Sequence, residues 1–517
     1  MGLRERGGSG LRRARLGGAG LVLLVVALYL GAGVLSTSPA LRHADDDFLA
    51  EGLHGLPGAA APGDHLQTIW QLWLPGHQLG RGEAPWRDPY SFRPEAEPRV
   101  NFAGWPFSPL FWPLQTGLGT VVGWNAFLLL GYLGAGAATF LWLRSIGLGV
   151  GPSLVGGLVF ALAPYRAVQA GAGHLLGWVA MLLPLSLWAW ERRLYLVAAA
   201  ALASIPLSGQ VHLALGAIPF FLLYALLRGG DRRWAGGAAA GAVAAGLLVW
   251  ALSIRDSIGE ERSFSGVERY SADLTDFVSR DPRHGLEPFV FLGWLTPLLA
   301  LVALVALVLA RSRLAIVLGL GAAVPILLAL GANLPGYEVL WRHTPGLHST
   351  RVPGRLLPIA CLAIAALAAF AVSRLRSRAA PLLAVVLIAL DLRIGVTAVR
   401  TTAADADNRA YAALNRAPLG RLLELPVYAP GRQEGSVYLY YAMQAPRERP
   451  AGYSTVAPKA AARVARELQP CTDVRSLGEL GVRLLAVYGR PRCGVPGRLL
   501  ARDGPISLYE AYIPVAW

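Results

Sequence analysis

The sequence predicts an α-helical polytopic membrane protein of about 11 transmembrane helices, carrying a small C-terminal α/β domain outside the membrane. Three observations predict it. The 517-residue chain is 54% hydrophobic and only 15% charged, where soluble globular chains carry about 25% charged residues. Its apolar residues gather into long runs separated by polar stretches, and its arginines fall in alternate connections between those runs. This composition excludes a disordered chain, which needs low hydrophobicity and high charge density. It also argues against a single soluble domain, which could not hide so much apolar surface.

Crossing the hydrocarbon core takes roughly 20 mostly apolar residues. Candidate spans are 17–36, 119–143, 150–166, 174–190, 194–208, 210–227, 234–254, 288–310, 314–331, 356–373 and 380–398. Segments 150–166 and 194–208 are short, and 194–208 is expected to form a tight pair with 210–227. The first run is read as a retained span. Its basic start, Arg4 to Arg15, suits a leader peptide, but 17–36 is long for a leader's apolar core and Ser-Pro follows it. Cleavage after Ala40 is the alternative.

The net charge of +15 admits two readings, nucleic-acid binding or membrane topology. The short connections holding Arg4, Arg6, Arg12, Arg13 and Arg15, then Arg144, Arg192 and Arg193, Arg228, Arg232 and Arg233, Arg311 and Arg313, and Arg374, Arg376 and Arg378 alternate along the chain. They carry sixteen basic residues against three acids, Glu5, Glu191 and Asp231. The charge is therefore mainly a topology signal, with the N-terminus cytoplasmic. Nucleic acid is not expected as a partner, because no soluble stretch joins a basic patch to aromatics. The long polar segments 37–118, 255–287, 332–355 and 399–517 all fall outside. A single lysine, Lys459, among many arginines, with abundant Ala and Gly, fits a GC-rich bacterium and its inner (plasma) membrane.

Segment 37–118 opens with Asp45, Asp46 and Asp47. Asp64 then stands at the expected N-cap of a helix over 65–79, in which Leu66, Ile69, Trp70, Trp73 and Leu74 share one face. Tryptophan favours the membrane–water boundary, so this helix is expected to lie along the membrane surface. Residues 85–113 read as Pro-rich and irregular. With 1–398 assigned to the membrane domain, the tail 399–517 reads as a small α/β domain. Strands are expected at 421–428, 436–442, 482–488 and 506–512, and a helix at 458–468. Cys361 lies in a span and reads as core packing. Cys471 and Cys493 both lie in the external tail, where an oxidising compartment permits a disulfide. The alternative is two unpaired thiols.

No Walker A loop, dinucleotide fingerprint or His-Glu-x-x-His motif is present. ATP-driven transport by this chain alone is not expected, and no cofactor is predicted, with a divalent cation the one open addition. The informative residues are ionisable groups at the outer face. Asp64 reads as a general base at a cavity mouth or as a plain N-cap. Asp45, Asp46 and Asp47 read as a solvated run or a weak cation site, and Asp88 as a turn former before Pro89. His174 and His212 stand at span starts, with Arg166 and Gln169 nearby. Together these side chains suit sugar hydroxyls and phosphate oxygens, whereas a lone histidine is structural. Asp273 lies in the 255–287 loop. Arg351 and Arg355, four apart, read as a phosphate clamp or as interfacial snorkelling. Asp391 and Arg393, late in the last run, read as a pair or, alternatively, Arg393 as reaching the interface.

The layout resembles the GT-C superfamily of integral-membrane glycosyltransferases and, more narrowly, YfhO-like bacterial membrane proteins. The resemblance rests on one early span followed by a long outer loop with Gly63-Asp64-His65-Leu66-Gln67, then Asp88-Pro89-Tyr90-Ser91-Phe92, and Pro164-Tyr165-Arg166 with Gly173-His174. It continues in Tyr-Ser-Ala-Asp at 270–273, Arg-Val-Pro-Gly-Arg at 351–355, Leu-Glu-Leu-Pro at 423–426 and Leu-Gly-Val-Arg-Leu-Leu-Ala-Val-Tyr at 480–488. It implies transfer of a sugar from a polyprenyl-phosphate-linked donor to an external glycan or lipid acceptor, among membrane lipids. It also implies an acidic base in the first outer loop, here Asp64 with Asp45, Asp46 and Asp47 as alternates, and cationic stabilisation of the leaving phosphate by Arg351 and Arg355. The loop lacks the paired-acid, Arg-Tyr segment of better-studied members. Two other classes are weighed against this. A lipid-carrier transporter or flippase would show midplane charges and related halves. A non-catalytic envelope-assembly scaffold would scatter these ionisable groups.

Overall fold

The computed structural model describes residues 18–512 apart from 98, 261, 282–284, 378, 395–399, 406 and 492. Arg4, Arg6, Arg12, Arg13, Arg15 and Arg378 lie outside the described residues. Six helices are long and apolar enough to cross a membrane: Gly18–Thr37, Thr120–Ser145, Val150–Gly171, Val211–Arg228, Arg232–Ile254 and Pro353–Ser373. Five shorter apolar helices, Leu176–Glu191, Tyr195–Leu207, Leu295–Leu309, Arg313–Ala329 and Ala380–Leu392, take up the remaining runs.

Leu357–Ser373, the α-helical part of this span, is apolar on every side and runs through the middle of the bundle, as such helices do. Its alanines, from Ala360 to Ala371, let neighbouring helices approach closely. Those neighbours are Val150–Ala161, Leu295–Leu309 and Arg313–Ala329. The expected tight pairing of 194–208 with 210–227 gives way to another. Tyr195–Leu207 packs chiefly on Arg232–Val249 and on Leu182–Glu191. The reason is small-residue complementarity: Ala198 and Ala201 on one helix, and Ala235, Ala238 and Ala242 on the other, form the buried faces. At one end of the bundle Glu191 accepts two hydrogen bonds from Arg228, at 2.8 and 2.9 Å, and one from the Tyr224 hydroxyl at 2.7 Å.

The other end carries segment 38–119. Helix Asp64–Gly80 does not lie open along a membrane surface. Leu66, Ile69, Trp70, Leu72, Trp73 and Leu74 are all buried, packed against helices Ser108–Leu118 and Ser436–Ala442. Its apolar face finds protein rather than lipid. The exposed tryptophans of the segment are Trp86, Trp105 and Trp112, the last on Ser108–Leu118, a helix inside the stretch expected to be irregular.

In the tail, Arg421–Leu425, Val482–Tyr488, Ile506–Ala511 and Gly497–Asp503 form a four-stranded sheet in that order. The first pair is parallel and the others antiparallel. Pro426, which has no backbone donor, stops the first strand short of 428. The expected strand at 436–442 is instead a helix, Ser436–Ala442. Its tyrosines favour strands, but all seven residues are buried, and burial on every side overrides propensity. The expected helix appears as Lys459–Glu467. A disulfide links Cys471 to Cys493, with Cα atoms 5.9 Å apart, while Cys361 is free and buried.

The tail does not stand apart from the rest. Asp47–Leu49 pairs antiparallel with Thr401–Ala403, and residues from both sides of position 398 share one hydrophobic core. Arg449, fully buried, reaches Glu424 at 3.4 Å, lies over the Trp70 ring and accepts the Arg93 N–H on its own carbonyl.

Candidate active site

A cavity of about 260 Å³ opens where segment 38–119, the bundle end and the tail meet. Asp64, His174, His212, Arg262, Arg351 and Arg355 line it, together with Asp88 and residues 453–456 of the tail.

Asp64 is the first residue of its helix, and extended Gly63 holds the cap position. The expected capping role is therefore corrected: the carboxylate accepts no hydrogen bond from the first helical turn. It turns instead to His174, whose Nε2 is 2.9 Å from Oδ2, and to Tyr453, whose hydroxyl donates to Oδ1 at 2.5 Å. An ionised carboxylate only accepts, so His174 Nε2 carries the proton. Burial alone would raise the Asp64 pKa. The hydrogen bond and charge of His174, with Tyr453 and Gln433, hold it well below the usual carboxylate range.

Glycine makes this meeting sterically feasible. Gly173 has φ +75°, and a Cβ there would fall 2.3 Å from the His65 backbone nitrogen. Thr68 Oγ1 donates to the Gly173 carbonyl at 2.7 Å, fastening the turn to the helix. His174 Nδ1 then lies 3.1 Å from Gln169 Oε1 and 3.8 Å from Glu287 Oε1.

Glu287 joins this pair to the arginines. Arg355 Nη2 donates to Glu287 Oε1 at 2.7 Å. Burial pushes the Glu287 carboxyl up, but Arg355, His174 and Arg351 together hold it at about 2. Arg351 lies over the Tyr270 ring at 5.5 Å. Neither Arg351 nor Arg262 forms an ion pair with a described residue. Burial, then the neighbouring Arg351 and Arg355 cations, bring Arg262 down to about 10. Of the three guanidiniums Arg262, Arg351 and Arg355 that line the cavity, only Arg355 is paired with a carboxylate, which leaves positive charge suited to a phosphate. Both ring nitrogens of His212 are buried here without a hydrogen-bond partner among the described residues.

Of the residues singled out in the sequence, Asp64, Asp88, His174, His212, Arg351 and Arg355 come together in this cavity. Asp88 keeps its turn role as well, accepting from Tyr90 N and Ser91 Oγ at 2.9 Å each. Four others do not join. Asp45 and Asp46 are exposed and do not line the cavity, because the chain between them and Asp64 is diverted into the strand Asp47–Leu49. Asp273 caps its own turn, accepting from Thr275 N at 2.7 Å and Thr275 Oγ1 at 2.6 Å. Arg166 is buried among the rings of Tyr132, Phe160 and Tyr165, donating to the Gly177 carbonyl and the Tyr165 hydroxyl. It braces the bundle rather than facing a ligand. The expected Asp391–Arg393 pair is also absent: Asp391 accepts from Trp294 N and Leu295 N at 3.0 and 2.9 Å and lies 3.6 Å from Arg280. Among the described residues no three His, Cys, Asp or Glu side chains converge as metal ligands do.

Sequence reasoning missed Tyr453, Glu287 and Arg262. Arg262 and Glu287 sit in the loop already marked as outer, so charge at that face was the available signal. Nothing local marks Tyr453.

No family model matches the sequence, and no curated protein is similar to it. Solved structures are. Arabinofuranosyltransferase AftD from Mycobacteria aligns at 16% identity with a TM-score of 0.54, over 96% of this chain and 40% of that one. ArnT from Cupriavidus metallidurans aligns at 13% identity with a TM-score of 0.51, over 95% of this chain and 98% of that one. The chain thus spans about 40% of the length of AftD. The chain shares the fold of these two proteins.

Proposed function

We propose that this chain is a membrane glycosyltransferase that moves a sugar from a polyprenyl-phosphate-linked donor to an acceptor on the outer side of a bacterial plasma membrane. The observation that carries the reading is one cavity lined by the Asp64–His174 pair and by Arg262, Arg351 and Arg355, with Glu287 bridging His174 and Arg355. The fold similarity to an arabinofuranosyltransferase supports the reaction class. The narrower resemblance to YfhO-like proteins rests on the sequence motifs. The arginine-rich short connections support a cytoplasmic face opposite the cavity, with the tail outside.

The chemistry follows from the charges. The acceptor oxygen attacks the anomeric carbon as the bond from that carbon to the phosphate oxygen breaks. The phosphate keeps the bonding electrons and leaves as polyprenyl phosphate, held by the arginines. The attacking hydroxyl grows acidic as its bond to the sugar forms, and Asp64 receives its proton. A carboxylate with so low a pKa is a weak base for a resting hydroxyl, so the transfer comes late. Before it, the anion faces the positive charge that develops on the sugar. His174 holds the carboxylate in place.

The test uses the full chain in proteoliposomes with a panel of polyprenyl-phosphate-linked sugars, following release of polyprenyl phosphate. Asp64→Asn is expected to lower turnover by about 10²–10⁴-fold. Wild-type turnover in that variant would remove Asp64 from the mechanism. No release from any donor by the wild-type chain would overturn the transferase reading.

A further inference from the structure

Asp64, Gln67 and Gln71 recur at i, i+3 and i+7 along one helix, and all three line the cavity. They therefore share a face, with Gln71 about 10 Å from Asp64 along the axis. The arginines approach Asp64 through His174 and Glu287. The glutamines lead away from it along the helix. At the far end Asn101 Nδ2 donates to the Gln71 carbonyl at 3.1 Å. The loop bearing Asn101 comes this close because residue 104 is glycine: a Cβ there would fall 2.0 Å from that same carbonyl. On the tail side, Gln67 Nε2 donates to the Tyr453 carbonyl at 3.3 Å, and Thr455 faces the cavity.

What this wall leaves unengaged is informative. Among the described residues, Gln67 Oε1, the Gln71 amide, Asn101 Oδ1 and Thr455 Oγ1 have no hydrogen-bond partner. They offer donors and acceptors together and carry no charge. Of the charged neighbours here, Asp88 is engaged by Tyr90 and Ser91 and Arg99 by the Val456 carbonyl at 2.5 Å, while the Arg262 guanidinium borders the wall at its Thr455 end.

We infer that Gln67, Gln71, Asn101 and Thr455 form an uncharged subsite for the acceptor, and that the acceptor is a sugar residue. Vicinal hydroxyls both donate and accept, which matches neutral amides beside a hydroxyl. A phospholipid head group or a free carboxylate would call for unpaired cations along the wall, and Arg262 alone borders it, at the Thr455 end. A wall of open amides also discriminates strongly, because a ligand without hydroxyls leaves them unpaired. The inference rests on the transferase reading. It places the donor sugar beside Asp64 and the acceptor ring beyond it.

The experiment uses the full chain in proteoliposomes with a polyprenyl-phosphate-linked sugar that it turns over. Three acceptors are offered separately: linear oligosaccharides, a serine-containing peptide and phosphatidylethanolamine vesicles. Transfer to acceptor is measured against transfer to water. The oligosaccharides are expected to accept the sugar. Gln71→Leu and Asn101→Leu are each expected to lower the ratio of glycan transfer to water transfer about tenfold, with the change carried by the KM of the glycan. Thr455→Val, a near-isosteric change that keeps the cavity's shape, is expected to act in the same direction. Transfer to the peptide or the phospholipid in preference to the glycans would overturn the inference, as would an unmoved ratio in all three variants. Absence of polyprenyl phosphate release in the wild type, with or without acceptor, would instead fell the transferase reading and the inference with it.

Discussion

Tyr453 and Asp64, 389 positions apart in the chain, share a hydrogen bond of 2.5 Å across the mouth of the cavity. The tail therefore adds to His174 in holding the Asp64 carboxyl low. Tyr453→Phe removes that donor, so the Asp64 pKa rises toward the ordinary carboxylate value. The acid limb of the pH–rate profile is then expected to move to higher pH. A limb that stays in place would show that Tyr453 does not tune Asp64.

Gly173 allows the turn to seat His174 against Asp64. Gly173→Ala places a Cβ 2.3 Å from the His65 backbone in a left-handed conformation that alanine avoids. The expected result is loss of transfer activity and a destabilisation of about 1–3 kcal/mol, read as a lower Tm. Wild-type activity and Tm together would refute the steric account.

Glu287 makes stability depend on pH. Its folded pKa, about 2, lies below the ordinary 4.5. Its contribution is fully present above about pH 4.5 and is lost as pH falls toward 2. Comparing the pH dependence of Tm for wild type and Glu287→Gln isolates it. The variant is expected to lack this part of the acid loss and to be less stable at neutral pH by about 3 kcal/mol or less. Parallel curves would contradict the prediction.

Arg351 and Arg262 face the cavity without a carboxylate partner. Replacing either with alanine is expected to raise the KM for the lipid-linked donor about 10–100-fold, since each lost hydrogen bond to a charged group is worth roughly 1.5–3 kcal/mol. An unchanged donor KM in both variants would locate the phosphate elsewhere.

The Cys471–Cys493 bond closes a loop of 22 residues in the tail. Cys471→Ser or Cys493→Ser is expected to destabilise that region by roughly 3 kcal/mol. The check is earlier proteolysis of the tail in each variant and in reduced wild type. Identical cleavage of oxidised and reduced protein would contradict it.

The helices were legible because crossing a membrane demands long apolar runs, and such runs are local. Asp64, His174, Arg351 and Arg355 were legible for a related reason: an ionisable group beside an apolar run needs something to bind. Arg166 met the same test, yet it is held by aromatic rings and a carbonyl from its own surroundings. Local sequence cannot separate those two fates. The helix Ser436–Ala442 was hidden by tyrosines that favour strands, and its burial is a tertiary fact. Tyr453 was invisible because its role depends on a contact with residue 64 that only the folded chain makes. The neutral wall was missed because glutamine and asparagine carry no charge to draw attention.

The strand pairing of Asp47–Leu49 with Thr401–Ala403, and the contact of Tyr453 with Asp64, have a consequence for biogenesis. A ribosome delivers Asp64 early and Tyr453 only after every apolar helix has emerged. A chain halted before residue 453 could fill the membrane with its helices and still hold an unfinished site. Chains that end before residue 453 are expected to insert their apolar helices and to lack the hydrogen bond from Tyr453 to Asp64.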